Sequence, residues 1–204
     1  MLCKLNIKGK ALNLYEKQMS NFVSMQDDQE LIIQFKQPQL KEAAFTQLLK
    51  RHQQKVYYQV KRMVAEHADA DDITQQVWIK VWNKLDSFKM ESEFTTWLFR
   101  VAYNETLNFL EKQKKHLSHN LSEDHINYEN AAVNSNNPKS TQIQIALEQA
   151  IRQLPEKQRF VFMLRYYDEL YYEKIASITG TTVGGAKSNF HQALKKMEEI
   201  LKKD

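Results

Sequence analysis

Glycine and proline are scarce in this sequence, and that scarcity restricts the fold more than any other feature. The 204 residues contain only 4 Gly and 3 Pro, whereas strands joined by tight turns usually need more of both. Most segments repeat their apolar residues at helical spacing. We therefore expect an all-α protein, built as two small helical domains joined by a flexible linker.

A polar segment, residues 116–141, divides the chain. It is rich in Asn and Ser, contains Pro138 and has too few apolar residues to fold alone. We predict a loosely ordered N-terminal extension over residues 1–25, a first domain over 26–115, this linker, and a second domain over 142–204. Apolar residues in the extension show only a weak helical repeat, which translation that begins at Met19 or Met25 would explain.

Composition excludes several classes of protein. The net charge of +4 permits contact with nucleic acid without requiring it. The single cysteine, Cys3, cannot form an internal disulfide or a zinc-finger framework, which fits a reducing cytoplasm. No segment has the features of a signal peptide or of a membrane span.

Catalytic and metal-binding motifs are also missing from the sequence. It contains no Gly-rich phosphate loop and no hydrolase or zinc-protease motif, so we expect neither an enzyme nor a cofactor. Three histidines, His116, His119 and His125, fall in the predicted linker. We interpret them as solvated side chains, because no cysteine or helical frame would fix their geometry around a metal.

Residues 172–197 have the pattern of two helices joined by a tight turn. Gly180 suits the left-handed position that ends a helix, and Thr181 or Thr182 can cap the next one. Ala193, Leu194 and Met197 are predicted to face inward. The pattern is typical of a helix-turn-helix, whose second helix enters the major groove of DNA, but an ordinary helical hairpin has it too.

The first domain has two further features. Aromatic and basic residues alternate from Phe88 to Tyr103, an arrangement that can stack on unpaired bases but equally fits a packed core. Asp69 is predicted to cap a helix, and acidic and amide side chains fall together at the start of that helix, at Asp71, Asp72, Gln75 and Gln76. They would repel phosphate and suit a basic protein partner, or they form an ordinary solvated face.

Taken in order, these features resemble the extracytoplasmic-function (ECF) group of bacterial RNA polymerase sigma factors. The resemblance is carried by DADDITQQVWIKVWNKLDSFK (69–89), FTTWLFRVAYN (94–104) and LPEKQRFVFMLRYYDELYYEKIASITGTTVGGAKSNFHQAL (154–194). It implies a first domain that binds core polymerase and opens the −10 element, and a second that reads the −35 element.

The resemblance also implies a role for individual residues. The residues expected to bind or support contact with core polymerase are Asp71, Asp72, Gln75, Gln76 and Trp78. Those expected at the −10 element are Phe88, Lys89, Phe94, Arg100 and Asn104. Those expected at the −35 element are Thr182, Lys187, Ser188, Asn189, His191 and Gln192.

The implied partners are core RNA polymerase, promoter DNA and an anti-sigma factor that covers both domains until a signal arrives. The implied location is the cytoplasm, including the inner membrane face if an anti-sigma factor holds the protein there. The alternatives are a free-standing helix-turn-helix regulator and an adaptor that contacts only proteins. A clamp-binding helix and a base-flipping loop favour the sigma factor, since a simple repressor needs neither.

Some residues depart from the family pattern. Gln76 stands where Glu is usual, so one charge of the polymerase contact is missing. Gly185 and Ala186 stand where Thr and Val are usual, and Asn189, His191 and Gln192 replace residues that are often Arg or aromatic. We expect these changes to weaken attraction to phosphate, and we expect Gly185→Thr to tighten binding to the −35 element.

Overall fold

A computed structural model describes residues 27–64, 66–120 and 142–202, and of residues 117–120 and 142–145 the backbone only. These residues form α-helices and one short 3₁₀ helix, with no strand among them, which confirms the all-helical prediction. The helices are α1 (Asp28–Phe35), α2 (Lys41–Lys61), α3 (His67–Lys84), the 3₁₀ helix (Leu85–Ser87), α4 (Phe94–Asn120), α5 (Gln142–Arg152), α6 (Glu156–Tyr166), α7 (Tyr172–Thr179) and α8 (Val183–Leu201).

Helices α1 to α4 form the first domain around a cluster of aromatic rings. The ring of Trp82 on α3 meets Phe35 of α1 edge-on at 5.2 Å and Phe45 of α2 at 4.9 Å, measured between centroids. Edge-to-face contact is the favoured geometry for such rings. The cluster joins three helices at one point and fixes α3 with one face buried and the other exposed.

Helices α5 to α8 form the second domain, and its last two helices are the predicted helix-turn-helix. Gly180 ends α7 with φ 67° and ψ 30°, the left-handed conformation that glycine adopts without a steric penalty. Ala193 and Met197 of α8 are buried as predicted, whereas Leu194 is 44% exposed, so its predicted inward position is wrong. It follows Ala193 by one residue, and the 100° turn per residue carries it off the buried face.

Helix boundaries differ from the sequence prediction in two places. Helix α4 continues to Asn120, into the segment predicted as linker. Helix α3 begins two residues before Asp69, which lies in its first turn instead of capping it. The predictions for the N-terminal extension with Cys3, for residues 121–141 with His125, and for the side chain of His119 lie outside the described residues.

The two domains pack against each other, which the sequence did not predict. The ring of Tyr103 on α4 lies 4.4 Å from that of Phe160 on α6, and these side chains are 5% and 1% exposed. Three ion pairs also link the domains: Lys174 with Glu93, Arg62 with Asp168 at 3.5 Å, and Lys114 with Glu156 at 2.8 Å.

Charge and burial act together at this interface between the domains. Burial, and to a smaller extent the charge of Glu156, raises the pKa of the Tyr103 phenol. The hydrogen bond and charge of Lys174 lower the pKa of Glu93. Ion pairs that remain partly open to solvent contribute little to stability, while a buried aromatic ring contributes about 2 kcal/mol, so the apolar contact dominates.

Candidate functional site

The first turns of α3 carry the predicted polymerase-binding face. Asp71, Asp72, Gln75 and Gln76 are all exposed, because the spacing that buries Ile73 and Val77 turns these polar side chains outward. The structure therefore brings these four side chains together on one accessible surface.

Trp78 occupies a different position from the four polar residues. Its side chain is only 7% exposed, and its ring meets Phe45 of α2 edge-on at 5.9 Å. It therefore lies beneath the polar face and supports α3, with no large surface of its own for a partner.

Acidic charge is concentrated at the start of α3. Burial, followed by the charges of Glu66 and Asp72, raises the pKa of Asp69. A carboxyl group whose neighbours disfavour its ionisation would ionise more readily beside a basic partner. The sequence reasoning treated Asp69 as a cap and missed its contribution to this acidic surface.

The loop between the 3₁₀ helix and α4, together with α4 itself, carries the predicted −10 residues. Phe88 and Phe94 are both buried, and each packs against Trp97, at 5.0 and 5.9 Å between ring centroids. Between them Met90 has a φ of 57°, a conformation uncommon outside glycine. Phe88 and Phe94 thus form the base of the loop and hold its ends together.

Three of the predicted −10 residues, Lys89, Arg100 and Asn104, are exposed. Lys89 lies in the loop, whereas Arg100 and Asn104 lie one turn apart on α4. They supply an ammonium, a guanidinium and an amide, groups that can hold a phosphate or a base edge.

Two lysines that the sequence analysis did not single out brace this loop. Lys36 donates to the backbone oxygen of Phe88 at 3.4 Å, and Lys41 pairs with Asp86 at 2.6 Å. Both lysines belong to the α1–α2 region, more than 40 residues away in sequence. No local pattern marks them, because their role depends on the packing of α1 against the 3₁₀ helix.

Helix α8 carries the predicted −35 residues. Thr182 caps the helix, its hydroxyl oxygen accepting the N–H of Gly185 at 3.0 Å. Lys187, Ser188, His191 and Gln192 are exposed and Asn189 is partly buried. The first turns of α8 therefore present polar side chains to the solvent along one side.

Other helices constrain two of these side chains. Gln158 of α6 donates from Nε2 to Oε1 of Gln192 at 2.8 Å, and Gln192 donates to Ser188 Oγ at 3.3 Å. The ammonium group of Lys187 lies 5.7 Å from the ring centroid of Tyr172 on α7. Contacts with the preceding helices thus orient part of the α8 surface.

Comparison with known families matches both domains. Residues 48–116 match the model of sigma-70 region 2, and residues 144–197 match that of sigma-70 region 4. In the described residues, no helix is long and apolar enough to cross a membrane.

Individual proteins are similar over most of the chain. The ECF RNA polymerase sigma-E factor of Escherichia coli (strain K12) is 36% identical over 159 residues, 74% of this chain and 82% of that protein. The ECF sigma factor SigW of Bacillus subtilis is 29% identical, over 78% of this chain and 89% of that protein.

A solved structure is also similar across both domains. It is the sigma factor RpoE of Bartonella quintana in complex with the anti-sigma factor NepR, with a TM-score of 0.64 and 27% identity. The match covers 78% of this chain and 98% of that chain. From the two family models and from relatives aligned over most of their length, the chain belongs to the ECF group of RNA polymerase sigma factors.

Proposed function

We propose that this ECF sigma factor binds core RNA polymerase and directs it to promoters through three separate surfaces. These are the polar face of α3, the loop and α4 surface around Phe88 to Asn104, and the exposed side of α8. The observation that carries this assignment is the exposed acidic face of α3 in a chain that also has a helix-turn-helix. A DNA-binding protein that worked alone would have no need of such a face.

The α3 face suits a basic protein surface. Asp71 and Asp72 would attract Arg and Lys side chains of the polymerase clamp, and Gln75 and Gln76 would add hydrogen bonds. Charge complementarity of this kind raises the rate of encounter and fixes the orientation of docking more than it adds affinity. Trp78 would act indirectly, by holding α3 against α2.

The loop before α4 suits a base that has left the duplex. Splaying a base out requires a few kcal/mol, which stacking and pocket contacts must offset. The cluster of Phe88, Phe94 and Trp97 gives the loop a rigid base, and Lys89, Arg100 and Asn104 supply polar contacts around it. We assign this surface to the −10 element.

The exposed side of α8 suits the major groove of the −35 element. A recognition helix contacts bases with residues near its N-terminus, and the residues after the Thr182 cap occupy that position. Lys187 would neutralise a phosphate, while Ser188, Asn189, His191 and Gln192 would meet base edges.

An anti-sigma factor is the further partner that we propose. The sigma factor RpoE of Bartonella quintana was solved in complex with the anti-sigma factor NepR, and the present chain has a similar fold over both domains. We place this protein in the cytoplasm, with retention at the inner membrane face if its anti-sigma factor is anchored there. Family membership indicates a non-catalytic initiation factor, and we propose no enzymatic step.

Transcription in vitro tests the proposal. Purified chain and core polymerase should together initiate from promoters that neither component recognises alone. A free-standing regulator would bind duplex DNA and give no promoter-specific transcript with core polymerase. That result would overturn the proposed function.

A further inference from the structure

A series of hydrogen bonds links α6 to the exposed side of α8. It runs from Gln158 Nε2 to Gln192 Oε1 at 2.8 Å, and from Gln192 Nε2 to Ser188 Oγ at 3.3 Å. Ser188 and Gln192 lie one turn apart on α8, and both are exposed. The series therefore starts at a partly buried amide in α6 and ends at a hydroxyl on the surface assigned to DNA.

The direction of these hydrogen bonds determines whether the Ser188 hydroxyl donates or accepts. Each amide donates to the next group, so the Ser188 oxygen accepts and its own proton stays free for a further acceptor. Hydrogen bonds in series polarise one another, which strengthens the final O–H as a donor. The oxygen of Gln158 is buried with no hydrogen-bond partner among the described residues, so that amide acts on its neighbours through its N–H.

This inference rests on the proposed role of α8 at the −35 element. We propose that Gln158 is a positioning residue that holds Ser188 as a hydrogen-bond donor, so that a facing base that presents an acceptor is favoured. In the major groove guanine presents N7 and O6, adenine N7 and thymine O4, whereas cytosine presents only the N4 amino donor. Cytosine could bond only to the one lone pair left on the Ser188 oxygen, so it is the base that this arrangement disfavours.

One substitution should reverse the donor–acceptor direction of these hydrogen bonds. In Gln158→Glu the carboxylate can only accept, so Gln192 must turn its amide and donate to it. The oxygen of Gln192 then accepts the Ser188 proton, and the Ser188 oxygen accepts from the DNA. This variant should therefore accept cytosine at the facing position. A loss of structure in α8 would not produce such a change in base preference.

The experiment uses holoenzyme made from the full chain and core polymerase. It is bound to promoters with a fixed −10 element and a randomised −35 element, and the base preference at each −35 position is read by sequencing. Ser188→Ala identifies the position that Ser188 faces. At that position wild type should reject cytosine by about fivefold or more, within the range of a single mismatched base pair.

Four variants make the test specific. Gln158→Leu removes the donor and should reduce the rejection of cytosine to less than about twofold, and Gln158→Glu should reverse it. Gln153 is an exposed glutamine of the same domain, and Gln153→Leu and Gln153→Glu are the matched controls that should keep the wild-type profile. Wild-type rejection of cytosine in both Gln158 variants, or no such rejection in wild type, would overturn the proposal.

A separate measurement distinguishes this failure from failure of the proposed function. Lys187→Ala should weaken binding to all −35 sequences and flatten the dependence on salt by about one unit of slope. If Lys187→Ala has these effects while Gln158→Leu leaves the profile unchanged, the inference about Gln158 alone is wrong. If Lys187→Ala changes nothing and the holoenzyme ignores the −35 sequence, the role of α8 itself is wrong.

Discussion

Gly184 and Gly185, adjacent in the first turn of α8, have different surroundings. A Cβ on Gly184 would have no neighbour closer than Thr182 Oγ1 at 3.9 Å, whereas one on Gly185 would lie 3.2 Å from that same atom. The hydroxyl oxygen there accepts the N–H of Gly185, so a side chain at 185 presses on the cap. This contact works against the expectation that Gly185→Thr tightens −35 binding, which stays a prediction.

Alanine at the two glycines should therefore have different effects on stability. Gly184→Ala should raise the free energy of unfolding by up to about 1 kcal/mol, because it removes the conformational freedom of glycine at no steric cost. Gly185→Ala should gain less, since the displaced Thr182 hydroxyl weakens a cap worth about 1 kcal/mol. Thermal unfolding of the two variants measures the difference, and an equal or larger gain for Gly185→Ala would contradict it.

Asp28 offers a second prediction, for the stability of the first domain. Burial alone would raise the pKa of this carboxyl, but hydrogen bonds and charge from His52 and Arg51, at 2.9 and 2.7 Å, outweigh it and hold the pKa below its ordinary 3.8. A lowered pKa means that the stabilisation is complete above the ordinary value and disappears as the pH falls through the lowered one.

We expect Asp28→Asn to lower the free energy of unfolding at pH 7 by about 1–2 kcal/mol. The difference from wild type should shrink below about pH 4 and vanish once the wild-type carboxyl is protonated. Denaturant unfolding across this pH range is the measurement. The matched control is Asp27→Asn at the neighbouring exposed residue, which should have little effect. A difference that persists at pH 2 would show that Asp28 acts by packing alone.

At the scale of the element, α3 shows how one helix serves two purposes. Its apolar residues, Ile73, Val77 and Val81, are buried at a spacing of four, and this alone fixes which residues point outward. The sequence therefore predicted both the buried and the exposed face of α3. It did not predict the start of the helix, since Asp69 looked like a cap and the chain entered the helix two residues earlier.

Removing one outward carboxylate and one outward amide from α3 should weaken the binding of core polymerase while the fold persists. We expect Asp72→Ala combined with Gln75→Ala to lower affinity at least fivefold, about 1 kcal/mol, which is the scale of a significant interface contact. The control is Glu42→Ala with Gln53→Ala, a matched pair of exposed residues on α2. Pull-down of core polymerase measures both, and equal affinities would count against the α3 assignment.

At the scale of the whole molecule, the packing of the two domains limits what the protein can reach. The turn before α8 lies close to the first domain. A Cβ added to Gly180 in this turn would lie 3.9 Å from the guanidinium of Arg100 on α4. The −10 and −35 elements are about 25 base pairs apart, or about 85 Å along B-form DNA. The packed arrangement cannot span that distance, so the domains must separate when both elements are bound.

Enough chain lies between the domains for this movement. About 20 residues separate α4 from α5, and at about 3.5 Å each they span up to about 70 Å when extended. The size of the domains supplies the remaining distance. The sigma factor function therefore requires the contact between Tyr103 and Phe160 to open.

Reversal of one charge should shift the balance between the packed and the separated arrangement. Lys174→Glu puts two negative charges at the Glu93 contact, and an exposed ion pair is worth about 0.2–1 kcal/mol. We expect the separated fraction to rise about two- to fivefold. Raised salt should shift wild type in the same direction, because the pair is exposed to screening.

Energy transfer between dyes on Gln53→Cys and Lys196→Cys, in a Cys3→Ser background, reports the separation of the domains. Adding Glu93→Lys to Lys174→Glu restores opposite charges and should restore the packed arrangement. Lys50→Glu changes the same charge on α2 and is the control. No recovery in the double variant would show that the Glu93–Lys174 pair does not hold the domains together.

The sequence by itself determined the helices, the turn at Gly180 and the outward face of α3, because each depends on spacing or on the conformational freedom of a single residue. Tertiary structure alone decided the burial of Phe88 and Phe94, the braces from Lys36 and Lys41, the hydrogen bond from Gln158 to Gln192, and the contact between Tyr103 and Phe160. The last three of these join residues distant in the chain, and their meeting depends on how whole helices pack, which no local pattern encodes.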